Sequence, residues 1–532
     1  MSLDAPRFAA GVDRLLGRIT PFGFAGAILV AHGDDVLLRR GYGLADRANG
    51  VPNTAETVFC LGSITKQFTA AAVIALAQEG KLDPGDLIAD YFDSIPVDKA
   101  GITLHHLLTH TAGVRNYTGP DYEPASREEV IVRVMETPLL FEPGSQYEYA
   151  NAGYSLLAAI VEIVAGRPFE QFLYERLLRP ACLEQTGYTR PDWSGRTVAH
   201  WYTGDIDNGQ ALEKPYPSWN IVGNGEMLST IDDVFRWHRA LLGNELLDAE
   251  SKARMYTPFL HDYAYGWRVQ DTPYGRLINH NGASDLGSSA LLRRYVDAGL
   301  VIVLFCNQAY GEMPMILPLQ DKLDQLLAGE EIPLPPEIEP ASRADLAPYV
   351  GEYDLPGGGH FSLTPAGNVL MLHARDQRAI NHLAFPDLPP EAHEALNAEH
   401  ARVFAAALAG DLEPLRGFLS NAEERLDPVA RILRTNLAEA EEEYGRHQGL
   451  DVVGTVPSSL RAGALDTIVV VRFQRGTMGI LSITQGGVNV GVAELEMAQG
   501  WALPCIPFGG KLLGYHLPLG RVVTVDPANR TE

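Results

Sequence analysis

Three short patterns in the chain hold side chains able to do chemistry together. The first is Ser63-x-x-Lys66, inside Phe59–Thr69 and just ahead of the apolar run Ala70–Ala77. A serine hydroxyl is a weak nucleophile until a neighbouring base takes its proton. A lysine can be that base if burial or nearby cations depress its pKa. On a helix, residues three apart share a face, so the two side chains can meet. By itself the tetrapeptide is better explained as a capped core helix with an ordinary surface lysine, because the pattern is so short. The second pattern, Tyr149-x-Asn151, precedes an apolar helix, so both side chains project from a loop; a phenol near a lysine ammonium can have its pKa lowered and shuttle a proton. The third, His280-x-Gly282, lies on an expected strand. Gly282 leaves room for a substrate against the strand backbone, and the following amide, that of Ala283, can aim at a developing oxyanion. Individually, Tyr149 fits a packed aromatic and His280 a satisfied strand histidine. Their order, each in the expected local structure, is what argues for a site.

The elements that must position these residues can be read from periodicity. Phe8, Val12, Leu15, Leu16 and Ile19 share one helical face. Ala25–Ala31 and Val36–Tyr42 flank a polar turn and read as a β-hairpin. Gly62-Ser63 starts a helix that is apolar on nearly every side and stops at Gly80, the mark of a buried central helix. Ile102–Gly113 is a short helix, and residues 151–189 read as two helices broken at Gly166-Arg167-Pro168. Ser229–Asp233 caps a further helix through Trp237 and Leu241. Beyond Arg276 the period becomes strand-like: Leu277–Asn281, Ser288–Tyr295 and Gly299–Phe305. Strands at both ends with helices between imply one antiparallel sheet whose first and last strands pair, beside a helical lobe.

Taken together, Ser63-x-x-Lys66, Tyr149-x-Asn151 and His280-x-Gly282 resemble the three signature motifs of the serine penicillin-recognising enzymes. Within that superfamily they resemble the branch holding class C β-lactamases, D-alanyl-D-alanine carboxypeptidases, D-aminopeptidases and lactamase-like esterases. The stretches Leu104–Gly113, Asn151–Tyr154 and Leu228–Asp233 support the likeness, which spans roughly residues 8–330. The resemblance implies an α+β, β-lactamase-like catalytic domain and two-step acyl transfer, with water as the final acceptor and neither cofactor nor metal. It implies Ser63 as the acylated nucleophile, with Lys66 and Tyr149 sharing general-base and general-acid work. Asn151 would bind the substrate's amide carbonyl, the N–H groups of Ser63 and Ala283 would form the oxyanion hole, and His280 would order Tyr149 or touch substrate beside Gly282.

One departure bears on specificity. β-Lactamases and carboxypeptidases usually carry lysine where this chain has His280, and Thr or Ser where it has Asn281. A histidine is mostly neutral at pH 7, so demand for a carboxylate-bearing substrate weakens. Ester or amide hydrolysis therefore ranks above β-lactam hydrolysis or cell-wall carboxypeptidase work. A D-stereospecific peptidase is the rival within the enzyme class, and a catalytically retired binding or scaffold protein is the rival outside it.

The 532 residues have ordinary globular composition, 46% hydrophobic and 20% charged, and suffice for several domains. A net charge of −25 without a basic cluster argues against nucleic acid and anionic membrane partners. Four scattered cysteines fit neither a disulfide framework nor a zinc site. With no apolar run of membrane-spanning length and no leader pattern, the expected compartment is the cytoplasm. The expected division is 1–332 for the catalytic domain, 333–387 for a Pro-rich linker with a small, truncated β segment, and 388–532 for an α+β module. That module resembles a cystatin-like or nuclear-transport-factor-like cone, and its expected role is structural or homo-oligomerising.

Overall fold

The computed structural model describes residues 3–310, 313–355, 358–374, 376–385, 388–389, 391–458, 463–495 and 502–527, in two compact units. One unit comprises residues 1–20 and 24–331, and the other residues 21–23 and 332–532.

The first unit begins with α1 (Ala5–Ile19), capped by the Asp4 carboxylate on the Arg7 amide; its apolar stripe is buried. The hairpin β1 (Gly26–His32) and β2 (Asp35–Tyr42) follows, then α2 (Thr65–Gln78), α3 (Leu104–Leu108), α4 (Asn151–Ala165) and α5 (Ile231–Ala240). Strands β3 (Arg268–Thr272), β4 (Gly275–Ala283), β5 (Ser289–Tyr295) and β6 (Leu300–Cys306) precede α6 (Ile316–Leu327). The sheet has six strands, in the order β2-β1-β6-β5-β4-β3. β1 and β6 pair antiparallel, Gly26 opposite Cys306 through His32 opposite Leu300. The expected closure of the sheet by its terminal strands is therefore present, and only the edge strand β3 was not foreseen. α2 is buried along Thr65–Leu76 at its polar positions too, and Phe68 stacks on Trp237 with centroids 4.6 Å apart. A helix apolar all round needs protein on every side, and here α4 and α5 supply much of it.

The second unit corrects the expected boundaries at 387/388. It contains β7 (Gly351–Asp354), β8 (His360–Ala366), β9 (Val369–Ala374) and α7 (Gln377–Ala384). There follow α8 (Glu394–Leu408), α9 (Glu413–Phe418), α10 (Ala422–Tyr444), β10 (His447–Pro457), β11 (Leu465–Phe473), β12 (Thr477–Gln485) and β13 (Val488–Leu495). The chain ends with β14 (Ala502–Phe508), β15 (Lys511–His516) and β16 (Arg521–Val525). β9 pairs with β14, Leu370 opposite Cys505, so one six-stranded sheet runs β7-β8-β9-β14-β15-β16. The β segment is thus not truncated: its second half lies beyond the inserted helices and β10–β13. The physical reason is that β9 is buried at Val369–Leu372 and needs a partner along its open edge. α8–α10 pack on the four-stranded sheet β10–β13 through a separate core that includes Phe404, Leu415, Val469 and Ile480. Among the described residues no helix is long and apolar enough to cross a membrane.

Candidate active site

Ser63 sits in a single 3₁₀ turn, Gly62–Ile64, that runs directly into α2. Lys66 is fully buried one turn later. Its Nζ lies 2.9 Å from Ser63 Oγ, 2.6 Å from Asn151 Oδ1 and 2.7 Å from the Asn224 carbonyl. Burial pushes the lysine well below its usual pKa, and Asp121 and Glu226 offset only part of this. A neutral amine has two N–H groups and one lone pair. The two carbonyl oxygens take the N–H groups, which leaves the lone pair for the Ser63 hydroxyl proton.

Tyr149 lies on the loop before α4, and Asn151 is the first residue of that helix rather than part of the loop. Lys66 Nζ sits 4.8 Å from the Tyr149 ring centroid. The expectation that a lysine ammonium lowers the phenol's pKa is not met. Burial raises Tyr149, a hydrogen bond with Ser63 only partly opposing it. Burial thus favours the uncharged form of both side chains, the amine and the phenol. Asn116 anchors this turn, its Oδ1 accepting from the Asn151 amide at 2.9 Å and its carbonyl from the Ala152 amide at 2.9 Å.

β4 delivers the third pattern. A Cβ on Gly282 would fall 2.6 Å from the Ser63 amide nitrogen, and one on Gly62 (φ +48) 2.9 Å from that of Ala283. Two glycines thus allow the strand backbone to lie against the turn carrying the nucleophile. The Ser284 amide donates to the Ser288 carbonyl at 3.0 Å. Alternation along an antiparallel pair then turns the Ala283 N–H to the opposite edge of β4. β3 stops pairing at Asn279 opposite Arg268, so that edge is open beside Ser63. The Ser63 and Ala283 amides therefore lie close to each other where the strand meets the turn.

His280 is buried, and burial pushes its pKa down to about 3. Its Nδ1 lies 2.5 Å from the Asn281 carbonyl and its Nε2 3.0 Å from Tyr263 Oη. A carbonyl only accepts, so Nδ1 carries the proton and Tyr263 donates to Nε2. His280 is a neutral strut behind Tyr263, whose ring stands edge-on to that of Tyr149, 6.1 Å away. It is not a fixed positive charge.

Sequence reading missed an acidic flank. Glu226 is buried, and its Oε2 accepts from the Cys60 thiol at 2.7 Å and the Tyr122 hydroxyl at 2.8 Å. Burial raises its carboxyl to about 7, and burial followed by Asp285 raises Asp121 to about 6. Asn224, Glu226 and Asn116 belong to no motif pattern, and only the flanking Gly223 and Gly225 hinted at a tight turn. Among the described residues no group of three or more His, Cys, Asp or Glu side chains is arranged to hold a metal ion.

Comparison with known proteins bears on the family and the fold. The Beta-lactamase family profile matches residues 23–325. Penicillin-binding protein 4* of Bacillus subtilis (strain 168) is 27% identical over 385 residues, 66% of this chain and 84% of its own length. Among solved structures, the octameric penicillin-binding protein homologue from Pyrococcus abyssi has a TM-score of 0.55 at 19% identity, covering 98% of this chain and 100% of its own. The D-amino acid amidase from Ochrobactrum anthropi SV3, complexed with D-phenylalanine, has a TM-score of 0.52 at 21% identity, covering 60% and 99%. On the family match and the fold, this chain belongs to the beta-lactamase family and is a serine hydrolase.

Proposed function

We propose that the protein hydrolyses esters and small amides or peptides through an acyl-enzyme on Ser63. The observation that carries this is the 2.9 Å contact between Ser63 Oγ and a Lys66 amine whose other two partners are carbonyl oxygens. Lys66 takes the hydroxyl proton as Oγ attacks the substrate carbonyl. The resulting oxyanion is held by the Ser63 and Ala283 amides, and Asn151 Nδ2 is left to hold the substrate's amide carbonyl. Tyr149 donates its proton to the departing oxygen or nitrogen and regains one from Lys66. Water then attacks the acyl-enzyme by the reverse relay, releasing the acid and restoring the Ser63 hydroxyl.

A neutral His280 in place of a lysine supports substrates that bear no carboxylate near the scissile bond. The acidic flank of Asp121 and Glu226 favours a second reading, in which the acyl group carries an ammonium, as in a D-aminoacyl amide. The decisive experiment compares turnover of p-nitrophenyl esters, D-amino-acid p-nitroanilides and a penicillin, with intact-mass analysis of wild type and Ser63→Ala. Ester or anilide turnover that vanishes in Ser63→Ala is expected. A wild type that neither turns over nor becomes acylated would return the protein to a binding role. Self-association through the second unit is proposed on the whole-chain likeness to the octameric homologue, and light scattering checks it.

A further inference from the structure

His110 follows α3 in a left-handed conformation, φ 56. It is buried, and it touches the Tyr149 segment in three ways. The Glu148 amide donates to the His110 carbonyl at 2.9 Å. The Ala150 amide donates to His110 Nδ1 at 3.0 Å. Between those two amides, the Tyr149 ring lies over the imidazole, with centroids 4.2 Å apart and planes inclined by 35°. We propose that His110 is a positioning residue for Tyr149, clamping the amides on either side of it and stacking on its ring so that the phenol points at the leaving group. This rests on the reading of Tyr149 as the proton donor of the reaction.

The chemistry of the ring fits a fixed support. Accepting from the Ala150 N–H leaves Nδ1 without a proton, so the neutral ring carries it on Nε2. Nε2 is buried and has no hydrogen-bond partner among the described residues. Around the imidazole stand Tyr147, Tyr154 and Tyr263, with centroids 6.1, 5.1 and 4.6 Å from its own. Burial, above all, holds the ring well below its usual pKa. A charged ring would need a proton on Nδ1, where the Ala150 N–H already points. With Nδ1 taken by that N–H, the ring serves as a support rather than a proton carrier. It keeps one face against Tyr149 throughout the cycle. Proton delivery depends steeply on where the donor sits, and a small displacement costs rate while leaving substrate binding nearly intact.

The experiment separates positioning from simple structural support by leaving group. A p-nitrophenyl ester releases a stable anion and needs little help from Tyr149. An alkyl ester of the same acid releases an alkoxide that must be protonated. His110→Ala, His110→Gln and His110→Asn are assayed on both esters, with thermal melting as the fold control. Asparagine tolerates the left-handed backbone and places Oδ1 near the position of Nδ1, whereas glutamine reaches the position of Nε2. In Ala and Gln variants the alkyl-ester kcat should fall roughly tenfold or more beyond any fall on the p-nitrophenyl ester, with KM little changed. The Asn variant should recover much of that difference. Equal losses on both esters, no loss, or Asn and Gln behaving alike would overturn the proposal. If the alanine variant does not fold, the Asn and Gln pair decides. Labelling of wild-type Ser63 by a fluorophosphonate keeps the two readings apart. Without labelling the hydrolase reading itself fails, whereas labelling with equal leaving-group losses defeats only the role of His110.

Discussion

The backbone of Gly282 lies against that of Gly62 so closely that a Cβ on Gly282 would fall 2.3 Å from the Leu61 carbonyl oxygen and 2.6 Å from the Ser63 nitrogen. This approach of strand to turn brings the Ser63 and Ala283 amides to one place. Both clashing atoms are backbone, so no side-chain rotation can relieve a substitution there.

Gly282→Ala should therefore fold but spread the two amides. The expected result is a fall in kcat of roughly a hundredfold or more on any ester it accepts, with a smaller change in KM. Steady-state kinetics on a purified, cooperatively melting variant checks this. Wild-type kcat would mean that the two amides do not share the oxyanion.

Lys66→Met keeps the length of the side chain and removes the base. Acylation of Ser63 should slow by about 10²–10⁴-fold, read by stopped-flow with an activated ester. Because Lys66 is held well below its usual 10.5, the ascending limb of the wild-type rate against pH should lie well below 10.5. The sign for stability follows. The unfolded chain keeps a proton on Lys66 up to about 10.5 that the folded chain has released, so this residue makes stability rise with pH toward 10.5. The methionine variant should lose that slope.

Glu226→Gln preserves an acceptor for the Cys60 thiol and the Tyr122 hydroxyl while removing a buried charge. The folded carboxyl titrates at about 7 against a usual 4.5, so between those values the folded state retains a proton that the unfolded state has lost. Wild-type stability at this site therefore falls as pH rises through that window. The variant should be more stable than wild type by on the order of 1–3 kcal/mol at pH 8 and match it near pH 4.5. Denaturant titrations at the two pH values test this, and equal differences at both would contradict it.

Gln377 in α7 ties the inserted helices and sheet to the six-stranded sheet of the second unit. Its Oε1 accepts from the Thr455 amide at 2.7 Å and from Asn397 Nδ2 at 2.8 Å, and its Nε2 donates to the Thr455 carbonyl at 3.0 Å. Gln377→Ala would leave the buried Thr455 amide and carbonyl without this partner, at a cost of about 1–3 kcal/mol each before relaxation. A lower urea midpoint with unchanged ester kinetics is expected, and an unchanged midpoint would show that the network is dispensable.

What depends on short spacing is legible in the chain alone. Ser63 and Lys66 share a face because three residues make nearly one helical turn, and an all-apolar Ala70–Ala77 could only be a buried helix. Strands β4 to β6 announced themselves by alternating or continuous apolar runs, and their pairing with the first hairpin followed from chain order. Protonation states are set by the folded surroundings. Whether Lys66, Tyr149 and His280 are charged depends on burial and on neighbours such as Asp121 and Glu226, which no local pattern records. The same holds for Asn116, Asn224 and His110, whose work is to hold other residues across gaps of tens of positions. The second unit makes the point with its backbone. β9 finds its partner β14 more than a hundred residues later, beyond an inserted fold. A strand's partner is chosen by the sheet edge it must cover, not by its distance along the chain.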